Sequence, residues 1–183
     1  MPDMNPQGNV FLIGPMGAGK TTIGRHLATL LGKRFVDVDH EIEKRTGVAI
    51  PVIFEIESEA GFRRRESAVI DELTRDRDIV LATGGGAVLM EENRRALKER
   101  GTVVYLQADV ETLVERTRRD CNRPLMQTEN PRGKIEELLR QREPIYREVA
   151  DVVVDTGQRA PSSVARDNAM RLKTLSNDEN PER

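Results

Sequence analysis

Short apolar runs alternate along the chain with segments whose hydrophobic residues recur about every 3.6 positions, the period of a helix. The apolar runs carry no polar alternation, which is typical of strands that are buried on both faces of a sheet. The pattern predicts strands at residues 10–13, 34–36, 79–82, 102–106 and 152–154. It predicts helices over residues 20–31, 39–46, 52–76 with a break near Gly61, 87–100, 110–118, 134–149 and 161–172.

Strands that alternate with helices predict an α/β fold, here a three-layer P-loop fold with a five-stranded parallel sheet flanked by helices. Ligands of such sheets bind beyond the carboxyl ends of the strands. A polar segment interrupts the pattern at about residues 117–131, and long polar loops are often functional lids. We therefore expect one domain over residues 1–183, with a core at about 9–172, a mobile lid and loose tails at 1–8 and 174–183.

Composition narrows the class of protein. Charged residues make up 33% of the chain, yet 29 Lys and Arg against 31 Asp and Glu leave a formal charge of only −2, which argues against a general nucleic-acid binder. The single cysteine, Cys121, suits a reducing compartment because no intrachain disulfide can form. The chain shows no signal sequence and no apolar stretch of about 20 residues. We therefore expect a cytoplasmic protein without membrane association.

The segment Gly14–Thr21 reads G-x-x-x-x-G-K-[ST] between a buried strand and a helix, the context in which this pattern binds nucleoside triphosphates. Glycines let the backbone N–H groups turn toward an anion, and the helix that begins near Lys20 adds its positive end. Lys20 should reach the β- and γ-phosphates, Thr21 should bind Mg²⁺ and Thr22 the α-phosphate. The expected contacts to the ATP phosphates are Gly17, Ala18, Gly19, Lys20, Thr21 and Thr22.

A phosphate-binding loop identifies a nucleotide but not a reaction. The guanine-reading pattern Asn-Lys-x-Asp of GTPases does not occur in the sequence. Residues 68–72 resemble the second acidic motif of motor ATPases, but they lie in a charged helical stretch, which favours an ordinary helix face. A kinase for a small molecule is therefore the leading interpretation.

Three further features point to an acceptor. Asp37 and Asp39 end the second strand, and residues two apart on a strand point the same way, so both should enter the cleft. They could hold Mg²⁺ through water or orient or deprotonate a hydroxyl, and the alternative is a solvated strand end with a helix cap at Asp39. Gly84–Gly86 follow the third strand and offer bare backbone to a ligand. Arg63 and Arg142 could bind a carboxylate through two hydrogen bonds, although each alone could be an exposed helix residue.

Together these segments resemble the shikimate kinase family over about residues 9–172. The first block occurs in many kinases, whereas the whole set in this order is specific. The blocks are GPMGAGKTTIGR at 14–25, FVDVD at 35–39 with Ile42, Glu43 and Gly47, IFE at 53–55, GFR at 61–63 with Glu66, ATGGGA at 82–87, RPL at 123–125 and REPIY at 142–146.

The resemblance implies transfer of the ATP γ-phosphoryl group to the 3-hydroxyl of shikimate, giving shikimate 3-phosphate and ADP in aromatic amino-acid biosynthesis, by a monomer. It implies that residues of about 37–66 bind the substrate. Asp39 would bind the hydroxyls, as orienting group first and base second, and Asp37 would lie near Mg²⁺ through water. The other implied contacts are Arg63 and Arg142 to the carboxylate, Gly84, Gly85 and Gly86 as the pocket wall, Arg123 of the lid to the transferring phosphoryl group, and Arg116, Arg159 and Pro161 to the adenine.

Three positions depart from the family pattern. Pro15 stands where Leu is frequent, Ser58 stands where Gly is frequent, and Pro51 interrupts a segment that usually reads Ser-Ile-x-x-Ile-Phe. Two alternatives remain open: a gluconate-type or nucleoside-monophosphate kinase, and a nucleotide-binding module without turnover.

Overall fold

The computed structural model describes residues 8–118 and 128–178. Its five strands form one parallel sheet in the order β2–β3–β1–β4–β5. The central strand, β1, pairs with β3 on one side, where Val10 lies opposite Val80, and with β4 on the other, where Val10 lies opposite Thr102. The strands are β1 (Asn9–Ile13), β2 (Arg34–Asp37), β3 (Ile79–Ala82), β4 (Gly101–Gln107) and β5 (Val152–Asp155). The predicted α/β fold with its parallel sheet is confirmed.

Helices cover both faces of the sheet. They are α1 (Lys20–Leu31), α2 (Val38–Thr46), α3 (Ile50–Leu73), α4 (Glu91–Arg100), α5 (Val110–Thr117), α6 (Pro131–Val149) and α7 (Pro161–Asp178), with a short 3₁₀ turn at Ala87–Leu89. Because side chains alternate along a strand, β1 sends Phe11 and Ile13 into a core shared with α2, α3 and α4. Val10 and Leu12 point into the opposite core, against α1 and α7. The three predicted layers are therefore present.

The strand order places β1 at the point where the connections change direction. The chain leaves β1 toward β2 and β3 on one side and later continues to β4 and β5 on the other. The loops that follow β1 and β3 separate at this point and leave a crevice beyond the carboxyl ends of the strands. Both glycine-rich segments of the sequence, after β1 and after β3, open into this crevice.

The structure corrects four of the predicted elements. Helix α3 breaks at Ser58, with φ 65° and ψ 178°, and not at Gly61. Gly61 lies beside the break, where an added Cβ would overlap the Glu57 side chain. Helix α7 continues to Asp178, so the predicted loose tail from residue 174 is wrong over its first five positions. The helix predicted over 87–100 is a 3₁₀ turn followed by α4.

The fourth correction concerns α6, which begins at Pro131 because Asn130 caps it by accepting a hydrogen bond from the Gly133 N–H. The predicted lid at 117–131 therefore overlaps the end of α5 and the start of α6. Its middle, residues 119–127, lies outside the described residues, and Arg123 is among them.

Candidate active site

The loop after β1 has the backbone of a phosphate-binding loop. Gly17 and Gly19 adopt left-handed φ values of 83° and 94°, which only glycine adopts without strain. The Ala18 N–H donates to the Pro15 carbonyl at 3.2 Å, which closes the turn before α1 begins at Lys20. The Lys20 side chain is 8% exposed, and its Nζ donates to the carbonyls of Gly14 and Pro15 at 2.6 and 2.8 Å. The lysine therefore lies folded over the loop.

Thr21 and Asp37 are joined across the cleft. The Thr21 hydroxyl donates to Asp37 Oδ2 at 2.7 Å, while Asp37 Oδ1 accepts from the His40 N–H at 3.1 Å. Asp37 is therefore the cap of α2, and Asp39 lies in the first turn of that helix. The expectation that both carboxylates project from a strand, and the alternative of a cap at Asp39, are both wrong in detail. Both residues nevertheless line the same cleft, because the turn into α2 keeps them at the carboxyl end of β2.

Arg116 connects the phosphate loop to the loop after β5. Its Nη1 donates to the Gly17 carbonyl at 3.2 Å and to the Thr156 hydroxyl at 3.3 Å, and its Nη2 donates to the Gly157 carbonyl at 2.9 Å. Arg159, in the same loop, pairs with Asp167 of α7. These contacts form one wall of a cleft of about 890 Å³. The predicted site residues that line it are Gly17, Gly19, Lys20, Thr21, Thr22, Asp37, Asp39, Arg116, Arg159 and Pro161.

The two predicted carboxylate-binding arginines are buried, unlike ordinary helix arginines. Arg63 of α3 and Arg142 of α6 are 8% and 5% exposed. Arg63 Nη1 donates to Glu66 Oε1 at 2.9 Å, and its Nη2 donates to Glu59 Oε1 at 3.1 Å. Among the described residues, Nε of Arg63, Nε of Arg142 and Oε2 of Glu66 are buried without a hydrogen-bond partner. Buried donors of this kind are suited to a ligand that completes their hydrogen bonds.

Gly84–Gly86 fit against these charged groups because they lack side chains. A Cβ at Gly84 would lie 2.6 Å from Glu66 Oε2 and 3.2 Å from Asp39 Oδ1, and one at Gly86 would overlap the Arg63 guanidinium. A Cβ at Gly85 would lie 3.3 Å from the Met16 N and 3.5 Å from Arg142 Nη1. The glycines thus bring four separate segments together. We call Asp39, Arg63, Glu66, Arg142 and Gly84–Gly86 the acceptor-side cluster.

Burial and charge set the protonation of this cluster. The pKa of Glu66 is raised to about 7, first by burial and to a smaller extent by the Asp39 charge, against the opposing effect of the Arg63 guanidinium. Burial alone would lower the pKa of Arg63, but the charges of Glu66 and Glu59 raise it overall. Arg63 is therefore a permanent cation, whereas Glu66 can carry a proton near neutrality.

Glu66 of the cluster, and Glu59 and Tyr146 beside it, were missed as functional candidates. Glu66 entered the sequence comparison only as part of a motif, and Glu59 and Tyr146 were given no role. The spacing of Glu59 and Glu66 from Arg63, at i−4 and i+3 on a helix, was a usable signal. The Tyr146 hydroxyl donates to the Gly85 carbonyl, and the buried ring stacks on Tyr105, so this residue supports the glycine segment.

Comparison with known proteins agrees with this geometry. The shikimate kinase family model matches residues 16–173. The chain belongs to the shikimate kinase family. It is 64% identical to a shikimate kinase of Methylococcus capsulatus over 89% of this chain and 91% of that protein. The resemblance predicted from the sequence blocks, and with it an enzyme of the kinase class, is confirmed.

Solved structures extend the comparison. A shikimate kinase from Acinetobacter baumannii in complex with shikimate superimposes with a TM-score of 0.89 at 52% identity, covering 98% of both chains. A gluconokinase from Sinorhizobium meliloti superimposes with a TM-score of 0.60 at 17% identity, covering 95% of this chain and 96% of that one, which shows a shared fold alone.

Two further features are absent from the described residues. None of the helices in the described ranges is both long and apolar enough to span a membrane. Over residues 8–118 and 128–178, no three or more His, Cys, Asp or Glu side chains gather as a metal site would require.

Proposed function

We propose that this chain transfers the γ-phosphoryl group of ATP to the 3-hydroxyl of shikimate, giving shikimate 3-phosphate and ADP in aromatic amino-acid biosynthesis. The observation that carries the proposal is the pair of buried arginines, Arg63 and Arg142, which adjoin the same segment as Asp39, Gly84–Gly86, next to the phosphate-binding loop. A small polyhydroxy acid needs cations for its carboxylate and an acceptor of hydrogen bonds for its hydroxyls, and this cluster offers both.

The donor half of the site would hold ATP mainly through the backbone. The N–H groups of Gly17–Thr22 and the N-terminus of α1 would face the phosphates. Lys20 would exchange its bonds to two loop carbonyls for the β- and γ-phosphates, since its ammonium is already at the loop. Arg116, Arg159 and Pro161, which line the same cleft, would flank the adenine.

Thr21 and Asp37 would hold Mg²⁺ beside the phosphates. Mg²⁺ prefers oxygen ligands, keeps several waters and takes few ligands from the protein. The Thr21 hydroxyl and Asp37 Oδ2, 2.7 Å apart at the cleft, fit one direct and one water-mediated contact. Bound there, Mg²⁺ would neutralise charge on the phosphate oxygens.

The acceptor half would position the hydroxyl for direct transfer. Arg63 and Arg142 would hold the carboxylate, with Gly84, Gly85 and Gly86 as the adjoining wall, and Asp39 would accept a hydrogen bond from the 3-hydroxyl. A bond would form between that oxygen and the γ-phosphorus as the bond to the leaving ADP oxygen breaks. Because the transition state is loose, the hydroxyl proton leaves late, and Asp39 acts as an orienting group first and a base second.

The remaining assignments extend the same proposal. Arg123, outside the described residues, would reach the transferring phosphoryl group from a lid that excludes water, since water in the site would hydrolyse ATP. The chain would act as a single domain and a monomer in the cytoplasm, with no nucleic-acid partner.

A coupled ADP-release assay with shikimate, gluconate and AMP as acceptors tests the proposal. We expect turnover with shikimate and only background release with the other two. Turnover with gluconate or AMP instead would favour the related kinases. ATP binding without turnover on any acceptor would indicate a nucleotide-binding module.

A further inference from the structure

Arg63 is held by two carboxylates that differ sharply in their exposure. The Glu66 side chain is 0% exposed, whereas the Glu59 side chain is 48% exposed. An ion pair with an exposed partner contributes little to stability, about 0 to 1 kcal/mol, because water solvates the free carboxylate well. A buried partner cannot leave, since its charge would lose both the arginine and water. The contact to Glu59 is therefore the exchangeable one.

The geometry of the guanidinium makes this exchange relevant to binding. A guanidinium binds a carboxylate through two parallel N–H groups, either Nη1 with Nη2 or Nε with Nη2. Both arrangements use Nη2, the nitrogen that donates to Glu59. Nη1 is engaged by Glu66, and Nε has no hydrogen-bond partner among the described residues. A carboxylate ligand that binds Arg63 at two points must therefore take an Nη2 hydrogen beside Glu59 or in its place.

Charge favours replacement over sharing. The carboxyl group of Glu66 already lies within electrostatic reach of Asp39 and of both arginines. With Glu59, three carboxyl groups face two guanidinium groups before any ligand enters. A fourth carboxylate gains more from the arginines if one of the three withdraws, and Glu59, whose side chain is 48% exposed, has open water to enter.

We infer that the Glu59 carboxylate binds the Arg63 guanidinium where a substrate carboxylate would bind, and that the substrate displaces it. Glu59 thereby sets the affinity for acceptors that carry a carboxylate. The inference rests on the proposed function, because it takes shikimate as the acid. Glu59 acts through Arg63 and is a positioning residue.

The break in α3 supplies the local structure for this role. Ser58, at φ 65°, ends the first part of the helix, and Glu59 begins the second. A carboxylate in the first turn of a helix is stabilised by the helix N-terminus. When Glu59 leaves Arg63, its charge therefore keeps a favourable position, which lowers the cost of the exchange.

Isothermal titration calorimetry of shikimate into the nucleotide-free protein tests the inference. The variants are Glu59→Gln, which removes the charge, and Glu59→Ala, which also removes the hydrogen-bond acceptor. We expect shikimate to bind about two- to fivefold more tightly to both, the size of one exposed pair, with the larger gain in Glu59→Ala. A shikimate analogue whose carboxylate is replaced by a hydroxymethyl group should bind wild type and both variants equally. A general structural effect of the substitutions would change the binding of this analogue as well.

Glu57→Gln is the matched control. Glu57 lies on the other side of Ser58 and pairs with Arg65, which is exposed, so its loss should leave shikimate binding unchanged. Unchanged or weaker shikimate binding in the Glu59 variants would overturn the inference while leaving the proposed function intact. Equal tightening for the hydroxymethyl analogue would also overturn it. A wild-type protein that neither binds nor phosphorylates shikimate would remove the proposed function and this inference together.

Discussion

The phosphate-binding loop and the acceptor-side cluster lie side by side but are built differently. Eight consecutive residues, Gly14–Thr21, form the loop, and its binding groups are mostly backbone N–H groups whose direction is fixed by two left-handed glycines. The acceptor-side cluster takes its side chains from α2, α3 and α6, which meet at the loop after β3. A contiguous backbone site is specified by local sequence, whereas a side-chain site depends on how distant helices pack.

The two regions also differ in what holds them in the folded state. The loop contains one buried cation, Lys20, which donates to neutral carbonyls of the loop itself. The cluster contains two buried guanidinium groups and a buried carboxyl, whose removal from water is offset by pairing and hydrogen bonding. Substitutions in the loop should therefore act mainly on catalysis, while those of the buried Arg63, Glu66 and Arg142 should act on substrate binding and stability together.

The largest effect is expected from Lys20→Met in the loop. The change removes the cation that would face the β- and γ-phosphates, and loss of one such charge-stabilising group costs about a hundred- to a thousandfold in kcat. Steady-state kinetics by ADP release would measure it, with Lys44→Met, an exposed lysine of α2, as the control. A kcat within tenfold of wild type would mean that Lys20 does not face the transferring group.

On the acceptor side, Arg63→Ala and Arg142→Ala should mainly raise the KM for shikimate. Hydrogen bonds to charged groups contribute about 1.5–3 kcal/mol, which corresponds to about a ten- to hundredfold change, while the KM for ATP should stay nearly constant. Arg63→Ala also removes the ion-pair partner of the buried Glu66. Thermal unfolding should therefore be recorded for both variants. Arg64→Ala, at an exposed neighbour, is the control. An unchanged shikimate KM in either variant would remove that arginine from the site.

The difference between the two regions explains what sequence could predict. The loop and all five strands followed from short-range patterns, and the predicted strand bounds agree with the structure to within one residue at every end. Arg63 and Arg142 could be selected only by resemblance, because arginines on helices usually face solvent, and their burial depends on the packing of α3 and α6. Alternation along a strand failed for Asp39 because the chain turns into α2 directly after Asp37.

The break in α3 was misplaced for a related reason. Glycine usually marks an interruption, so Gly61 was the natural choice, but serine carries no such signal and Ser58 takes the left-handed φ. Gly61 remains helical, and its missing side chain leaves room for the Glu57 side chain next to the break in α3. The raised pKa of Glu66 could not be predicted from sequence, since it arises from burial that only the tertiary structure creates.

The pH dependence of stability should distinguish the cluster from the loop. The pKa of Glu66 is raised in the fold from its ordinary 4.5 to about 7, so the folded state holds the proton more tightly than the unfolded state. Its contribution to the free energy of unfolding is therefore fully present below pH 4.5 and is lost as the pH rises through about 7. Urea unfolding should be measured for wild type and Glu66→Gln across this pH range. The free energy of unfolding of wild type minus that of the variant should fall as the pH rises and level off above about pH 7. A difference independent of pH would contradict the raised pKa.

The smallest effect on stability is expected at Ser58, where it arises from backbone strain and not from the loss of a side-chain contact. Its φ of 65° with ψ 178° is a region that glycine occupies without strain and other residues do not. Ser58→Gly should stabilise the protein by about 1 kcal/mol after the entropy cost of glycine, raising Tm by about 2–4 °C. Ser67→Gly, in the regular helical part of α3, should instead lower Tm. A lower Tm in Ser58→Gly would mean that this position is unstrained.

Asp39 lies where the two regions meet, since it lines the nucleotide cleft and adjoins Gly84. The most direct test of the account is Asp39→Asn, which keeps the shape of the side chain and removes its charge. We predict that kcat falls by about a hundredfold or more while the Kd for ATP, measured by calorimetry, changes little. Loss of ATP binding in a variant that remains folded would contradict the assignment of Asp39 to the acceptor and the separation of the site into two halves.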